Sequence, residues 1–396
     1  MDDGKLRILM LSWEYPPVVV GGLGRHVHAL ATSLAAAGHE VTVVTRHAPG
    51  APLEEYLEDV RVVRAPEDPP LFPLSTSTLL AWTMAFNHTL TRAALRENAE
   101  AYYKLAKSED FDYQRLMEEH RPEVRRLVRQ AQRDFAEANP AYEQMEGVVA
   151  GVPSLADYDV IIDAGSDASD PETAVPFDVQ TPAGRTFKQP GNFNYLIETS
   201  AFGTEPKFAA KGVEPDLDGD GKVEFGEAVP DADFYVAAAR GFEKYSKDLD
   251  SAARDWQPTP SDALTALVVM TPTMSEYFEA WKNSRFVAGD KASEKAFVVA
   301  SRLQDIADIL GGLVLVYDNV EPLVAKADKQ QATQTDESLD KLLAFAAKLR
   351  DTEAGGRKYT AEEADTLGSQ AQERAEAIAG QIMQAAAKLD IQIDEG

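Results

Sequence analysis

The chain of 396 residues predicts a mixed fold. A partial Rossmann-like α/β segment, about 1–96, is followed by a mainly α-helical up-and-down bundle, about 97–396. Three observations predict it. A short apolar strand, a Gly-rich loop, a helix and a second strand open the chain. Apolar stripes at helical spacing fill most of the remainder. The charge breaks between the two parts: 1–96 carries a net −2, and the rest carries −25 of the total −27.

In the first part, Leu6-Arg7-Ile8-Leu9-Met10-Leu11 reads as a buried parallel strand. Ser12 to Gly24 is a loop with Gly21, Gly22 and Gly24, which leads into a helix over 25–37 that ends at Gly38. Glu40-Val41-Thr42-Val43-Val44-Thr45 is the next strand. This is the βαβ opening of a doubly wound sheet. Backbone N–H groups of such a loop suit phosphate oxygens; equally, the glycines serve only a tight strand-to-helix turn. His26 and His28, at the helix start, read as structural.

In the second part, Val124, Leu127, Val128, Ala131 and Phe135 form a helical stripe, with Pro122 at a first-turn position. Phe234, Ala238, Phe242, Tyr245, Leu249 and Trp256 form another. Ser261-Asp262 starts a helix that Pro272 breaks. Val299, Leu303, Ile306, Leu310, Leu313 and Tyr317 form a third stripe. Thr360-Ala361-Glu362-Glu363 is a capping box opening a long last helix. Between Val152 and Glu214 the chain is rich in Pro, Gly and Asp and reads as an elaborated loop with short strands or none.

The most explicit chemistry lies at 216–227. Asp216, Asp218, Asp220 and Glu227 take positions 1, 3, 5 and 12 of an EF-hand-type calcium loop, with Gly221 at the sharp bend. Lys222 would offer its carbonyl and Glu224 would act through water. The alternative is an acidic surface turn without an ion. The preceding segment, broken by Pro and Gly, does not read as a helix. A single loop has no partner loop to open against, so Ca²⁺ here is expected to be a structural staple. Glu143 and Glu146, three apart, share a helix face. With Glu198 they could hold a second hard cation, or simply be solvated.

Composition bounds the rest. Cysteine is absent, which excludes disulfides, thiolate zinc sites and a cysteine nucleophile. The acidic balance disfavours nucleic acid and anionic membranes and favours cations. No apolar run is long enough for a membrane span. The opening residues lack the pattern of a secretory signal, so the expectation is cytoplasmic.

Two resemblances sharpen this reading. Ser12-Trp13-Glu14-Tyr15-Pro16-Pro17, Gly21-Gly22-Leu23-Gly24-Arg25-His26-Val27 and Ala36-Ala37-Gly38-His39-Glu40-Val41 resemble the start of glycogen-synthase-like retaining glycosyltransferases. Ala65-Pro66-Glu67-Asp68-Pro69-Pro70 resembles actinobacterial members acting on α-glucans. The resemblance implies an acceptor-side half-domain, with Gly21, Gly22 and Gly24 facing the phosphates of a nucleotide sugar. Val20 stands where glycogen synthases place Lys, and no second Gly-rich strand–loop–helix unit follows to hold the donor.

From about 97 onward the chain resembles imelysin-like proteins, the helical family that includes periplasmic iron-uptake proteins. Tyr142, Glu143 and Glu146 match its aromatic-Glu-x-x-Glu segment. Glu198 matches the Glu of its His-x-x-Glu segment, with Tyr195 in place of the His. Ser301-Arg302-Leu303-Gln304-Asp305-Ile306 also suits it. The resemblance implies a cation site at Glu143, Glu146 and Glu198. Tyr195 as a ligand favours Fe³⁺ over Zn²⁺. It also implies an exported protein, in conflict with the cytoplasmic expectation.

The expectation is thus a fusion: a calcium-stapled, cation-binding imelysin-like protein without catalysis, its partners metal ions. One alternative is glucosyl transfer from a nucleotide sugar to an α-glucan, with a carbohydrate acceptor and a partner chain supplying the donor domain. Another is a binding module without enzymatic activity.

Overall fold

The structure, a computed structural model, describes residues 5–12, 14–17, 22–47, 50–65 and 76–394, with the backbone alone for 22, 23 and 76–91. The opening apolar run forms β1 (Arg7–Ser12). It is followed by α1 (Gly22–Ala36), β2 (Glu40–Arg46), β3 (Glu54–Leu57) and β4 (Val60–Ala65). The sheet order is β1-β2-β4-β3. β1 and β4 lie parallel to β2, and β3 is antiparallel to β4. Glu58 and Asp59, both at positive φ, make the two-residue turn between β3 and β4. The sequence expectation had not included these two strands.

Both faces of the sheet are covered. Val41, Val43, Val60 and Val62 pack under α1 with Ala31 and Tyr15. Val44, Val63 and Ala65 pack against Ala93 of the next helix, α2 (Thr76–Ser108). α2 continues unbroken through residue 96, so the expected boundary at 96/97 falls inside a helix. Arg61 on β4 pairs with Glu97 on α2, beside which Arg96 reaches Glu243 at 2.8 Å. These ion pairs tie the sheet to the bundle.

The bundle begins with α2 and α3 (Tyr113–Val149). α4 (Ala156–Asp159) runs into a π turn at Val160–Ala164, and β5 (Val179–Gln180) and β6 (Thr186–Phe187) form a small hairpin. α5 (Phe193–Phe202) and α6 (Ala232–Asp255) complete a first core with α2 and α3. α7 (Pro260–Met270), α8 (Met274–Asn283), α9 (Arg285–Ala288), α10 (Arg302–Ala327), α11 (Lys329–Ala354) and α12 (Ala361–Lys388) follow, and all of them but the short α9 contribute buried residues to a second core.

Several expectations need correction. The 152–214 region is not only loop, because α5 is a helix with Asn192 as its N-cap. Pro122 does sit in a first turn: α3 is two helical stretches joined across a kink at His120 (φ −128°, ψ 17°), and Pro122 is the second residue of the stretch that follows, where a missing backbone donor costs nothing. α7 starts one residue before Ser261, on a Thr259–Asp262 capping box. Pro272 does break the chain direction, as a 3-10 turn. Thr360 and Glu363 cap α12 reciprocally, as their spacing predicts.

Candidate metal centre

The two helical cores meet along α3 and α10. The helices approach so closely that a Cβ on Gly312 would collide with the carbonyl oxygen of Gln144. This contact brings the buried face of α3 to the N-terminal turn of α10. Glu143 and Glu146 point inward from α3 and are 0 % and 3 % exposed. The π turn supplies Asp163, and such turns are rare and often mark functional sites. Glu143, Glu146 and Asp163 each offer a carboxylate oxygen, and the three lie within 4.8 Å of one another.

Around this trio the charges do not balance. Asp159 and Asp305 add two more buried carboxyls. Against these five stand Arg302 and Arg92. Arg302 donates from Nη1 to Glu143 Oε2 at 3.4 Å and to Asp305 Oδ2 at 3.3 Å. Its guanidinium lies 4.4 Å from the Tyr277 ring centre and 4.2 Å from that of Phe297. Arg92 reaches Asn194 Oδ1 at 3.3 Å and stacks 3.8 Å over Phe242, and Asn194 in turn donates to Asp163 at 2.6 Å.

Neutral donors complete the network. Tyr277 donates to Glu146 Oε1 at 2.8 Å, Tyr142 to Asp159 at 2.6 Å, and Asn139 to Asp305 at 3.1 Å. Glu143 Oε1 and Glu146 Oε2 are buried and take no hydrogen bond from any donor outside the Glu143–Glu146 pair.

Burial disfavours charge, and neighbouring carboxylates add to the effect. Glu143 is raised well above the usual carboxylate range by burial and by Asp305. Glu146 is raised by burial and by Asp163, and Asp159 well above its range by burial and by Glu146. Asp305 is pushed up to about 7 by burial, although Arg302 pulls it down. Burial lowers Arg92 to about 9. A bound cation would reverse this logic and favour the ionised carboxylates.

Glu198 and Tyr195, expected beside Glu143 and Glu146, have other partners. The Glu198 carboxylate accepts the backbone N–H groups of Phe297, Val298 and Val299 at 2.6, 2.9 and 3.1 Å. Burial holds it at about 7 despite these bonds. It anchors the segment leading into α10. The Tyr195 phenol donates to Glu205 at 3.0 Å. Both residues line a cavity of about 350 Å³ that Asp163 and Asp305 also line. They therefore border the centre without joining its carboxylate trio.

The 216–227 loop is ordered by its own carboxylates. Asp216 accepts from Gly219 and Gly221 N–H at 2.7 and 3.1 Å. Glu227, the twelfth residue, uses one oxygen on Leu217 and Asp218 N–H and the other on Glu224 N–H. Gly221 takes φ +81°, as the bend requires. Asp216, Asp218 and Glu227 offer oxygens within 4.8 Å of one another. Asp220 accepts from Lys222 N–H at 2.8 Å. Arg121 reaches Asp216 at 3.3 Å, a guanidinium already paired with the first ligand position. No helix flanks the loop directly, and α6 begins at Ala232. The paired-helix setting of an EF-hand is thus absent on both sides.

In the N-terminal part, Gly21 lies outside the described residues and Gly22 is the first residue of α1. A Cβ at Gly24 would meet Glu14 Cβ at 2.7 Å, so Gly24 lets α1 approach the preceding loop. His28 packs edge-on against Tyr15 and faces Glu58 at 3.6 Å. Among the described residues no second parallel sheet faces this loop.

The fold and the centre define a two-part protein: a small mixed sheet, then a mostly helical region enclosing buried carboxylates. Comparison with known proteins assigns a family likeness to each part. Residues 213–389 match the family model described as Imelysin, and residues 7–118 match that of the starch synthase catalytic domain. Over 97 residues the chain is 52 % identical to glycogen synthase of two Mycobacterium tuberculosis strains, covering 23 % of each chain. Over 81 residues it is 41 % identical to an uncharacterized glycosyltransferase of Methanocaldococcus jannaschii, covering 20 % of this chain and 18 % of the relative. The chain thus spans about a quarter of the length of the curated glycogen synthases it matches. The imelysin-like span holds Tyr277, Arg302, Asp305 and the acidic loop, whereas Arg92 comes from the glycosyltransferase-like span. Glu143, Glu146, Asp163 and Glu198 lie between the two.

Asp159, Asp163, Asp305, Arg302, Arg92 and Tyr277 were not identified as site residues from sequence. Asp163 carried one signal, an acid ending the apolar run Val160-Ile161-Ile162 just before Gly165. Arg302 and Asp305 carried another: a charged pair three apart opening an apolar helix.

Proposed function

We propose that this protein binds metal cations without catalysing a reaction, in the manner of an imelysin-like protein. Glu143, Glu146 and Asp163 form the main centre, and the 216–227 loop is a calcium staple. One observation carries the reading: two buried carboxylate oxygens, Glu143 Oε1 and Glu146 Oε2, take no hydrogen bond from any donor outside the Glu143–Glu146 pair, in a site with an excess of acids. An unpaired buried acceptor is costly, and a hard cation such as Fe³⁺ or Ca²⁺ is the ligand that such oxygens favour. Iron or other metal acquisition is the role that fits.

The test is calorimetric titration of metal-stripped protein with Fe³⁺, supplied as a weak chelate, and with Ca²⁺. Glu146→Gln should abolish binding at the centre and leave the loop intact. Glu227→Gln should remove the calcium response alone; a ligand at 100 times its Kd adds about 2.7 kcal/mol to stability. Titrations unchanged by Glu146→Gln would refute the centre.

A second reading has a specific observation behind it, the 52 % identity to glycogen synthase over the N-terminal stretch. Under it, Gly21, Gly22 and Gly24 contact a nucleotide sugar, a partner chain completes the cleft and glucose passes to an α-glucan. A thermal shift with ADP-glucose, abolished by deleting the N-terminal stretch through Ala65, would favour it. The third reading, a binding module with neither activity, stands if neither metals nor ADP-glucose bind.

A further inference from the structure

We propose that the cavity beside the carboxylate centre binds a small organic cation, an amine or guanidinium compound, held by Asp163 and Glu294 against Tyr195 and Phe297. The inference shares Asp163 with the metal reading but does not depend on it.

The cavity, of about 350 Å³, is lined by five carboxyl residues, Asp163, Asp167, Glu198, Glu294 and Asp305, and by no Lys, Arg or His. Three of the five are already satisfied. Asp167 pairs with Lys207 at 2.9 Å, Asp305 pairs with Arg302, and Glu198 accepts three backbone N–H groups. Asp163 and Glu294 have no cationic group within ion-pair distance among the described residues. Asp163 takes only the Asn194 amide, and Glu294 only the N–H groups of Lys295 and Ala296. Arg92 and Arg302 act on Asp163 from behind the cavity wall without a direct ion pair, and Glu294 meets no cation among the described residues. With five carboxyls and no basic residue lining it, the space favours a positive guest and repels an anion. A neutral sugar would leave the Glu294 carboxylate without a charged partner.

The aromatic walls point the same way. Tyr195, Phe297 and Phe135 line the cavity, and a ring face attracts a cation that sheds water. The protein itself shows the chemistry at this wall. The Arg302 guanidinium already rests on Phe297 at 4.2 Å while bonded to Asp305. The volume lies at the lower end of small-molecule sites, which favours a short amine over a peptide. A bare metal ion is better served by the Glu143–Glu146–Asp163 trio, whose oxygens lie within 4.8 Å of one another.

The test is calorimetric titration of the full-length, metal-free protein at low salt with agmatine and putrescine, and with glutamate and glucose as controls. Both cations should bind and neither control should. Glu294→Gln sits on a half-buried turn away from the helical cores and should weaken agmatine about tenfold with an unchanged far-UV spectrum. Tyr195→Leu should weaken it several-fold. Glu146→Gln should leave agmatine binding in place while removing metal binding, which separates the two readings. Absence of heat with either cation, equal binding of glucose, or an unchanged affinity in Glu294→Gln would overturn the proposal.

Discussion

Replacing Arg302 with methionine removes the charge that most directly opposes the buried acids. Methionine is unbranched and apolar but ends short of the guanidinium, so the change removes the charge together with its stacking on Tyr277 and Phe297. In the native chain the guanidinium lies 3.4 Å from Glu143 and 3.3 Å from Asp305. Deleting one partner of a buried pair costs about 3–5 kcal/mol. Asp305 gives an independent scale. Its rise from 3.8 to about 7 corresponds to about 4 kcal/mol at about 1.4 kcal/mol per pH unit, even with Arg302 in place.

The pH dependence follows from the direction of that shift. An acid whose folded value is raised loses stability as pH climbs from its unfolded value, about 4, to its folded value, and the loss is constant above that. Without Arg302 the folded values of Asp305 and Glu143 rise further. The deficit of Arg302→Met should therefore stay nearly flat up to about pH 7, where folded Asp305 is still protonated with or without the guanidinium, and grow above it by at most about 1.4 kcal/mol per pH unit for that group. Urea unfolding followed by tryptophan fluorescence and far-UV circular dichroism at pH 5 and pH 8 measures it. A saturating metal cation should restore much of the loss at pH 8. Wild-type stability at pH 8, or an equal deficit at both pH values, would refute the reasoning.

Other substitutions probe the supports of the centre. Glu198→Ala deprives Phe297, Val298 and Val299 of their N–H acceptor, at about 1–3 kcal/mol for each buried unsatisfied donor, partly offset by removal of a buried acid. Amide exchange at these three positions should accelerate, and unchanged protection would count against the anchoring role. Gly312→Ala forces a methyl group into the Gln144 carbonyl and should cost about 1–3 kcal/mol as an overpacking change, read as a lower urea midpoint. An unchanged midpoint would mean that α10 can move away from α3 freely.

The long helices were legible because their burial is one-sided. Phe234, Phe242 and Leu249 face the core at helical spacing, and Thr360 with Glu363 announces the last helix. β3 and β4 were not legible. Their turn is Glu58-Asp59, with none of the Gly or Asn that usually marks a two-residue hairpin. The trio at the centre was only half legible. Glu143 and Glu146 share a helix face by spacing alone, but Asp163 joins them through a π turn, whose five-residue repeat no amphipathic pattern reports. The role of Glu198 depended on a contact 99 residues away in sequence, and that of Tyr195 on one 10 residues away. Spacing within their own segment could not disclose the first of these.

The ion pairs that join the sheet to the bundle also bear on synthesis. β4 ends at Ala65, whereas Glu243, which receives Arg96 of the helix covering the sheet, is made 178 positions later. At the usual pace of about 5–20 residues per second, roughly 10–40 s separate the two events. Through that interval Val44, Val63 and Ala65 emerge from the ribosome before the bundle that holds α2 against them is complete. The strands come first, and their docking platform is assembled last. Such an order leaves a nascent apolar strand surface uncovered for that interval, and slowing translation would lengthen its exposure.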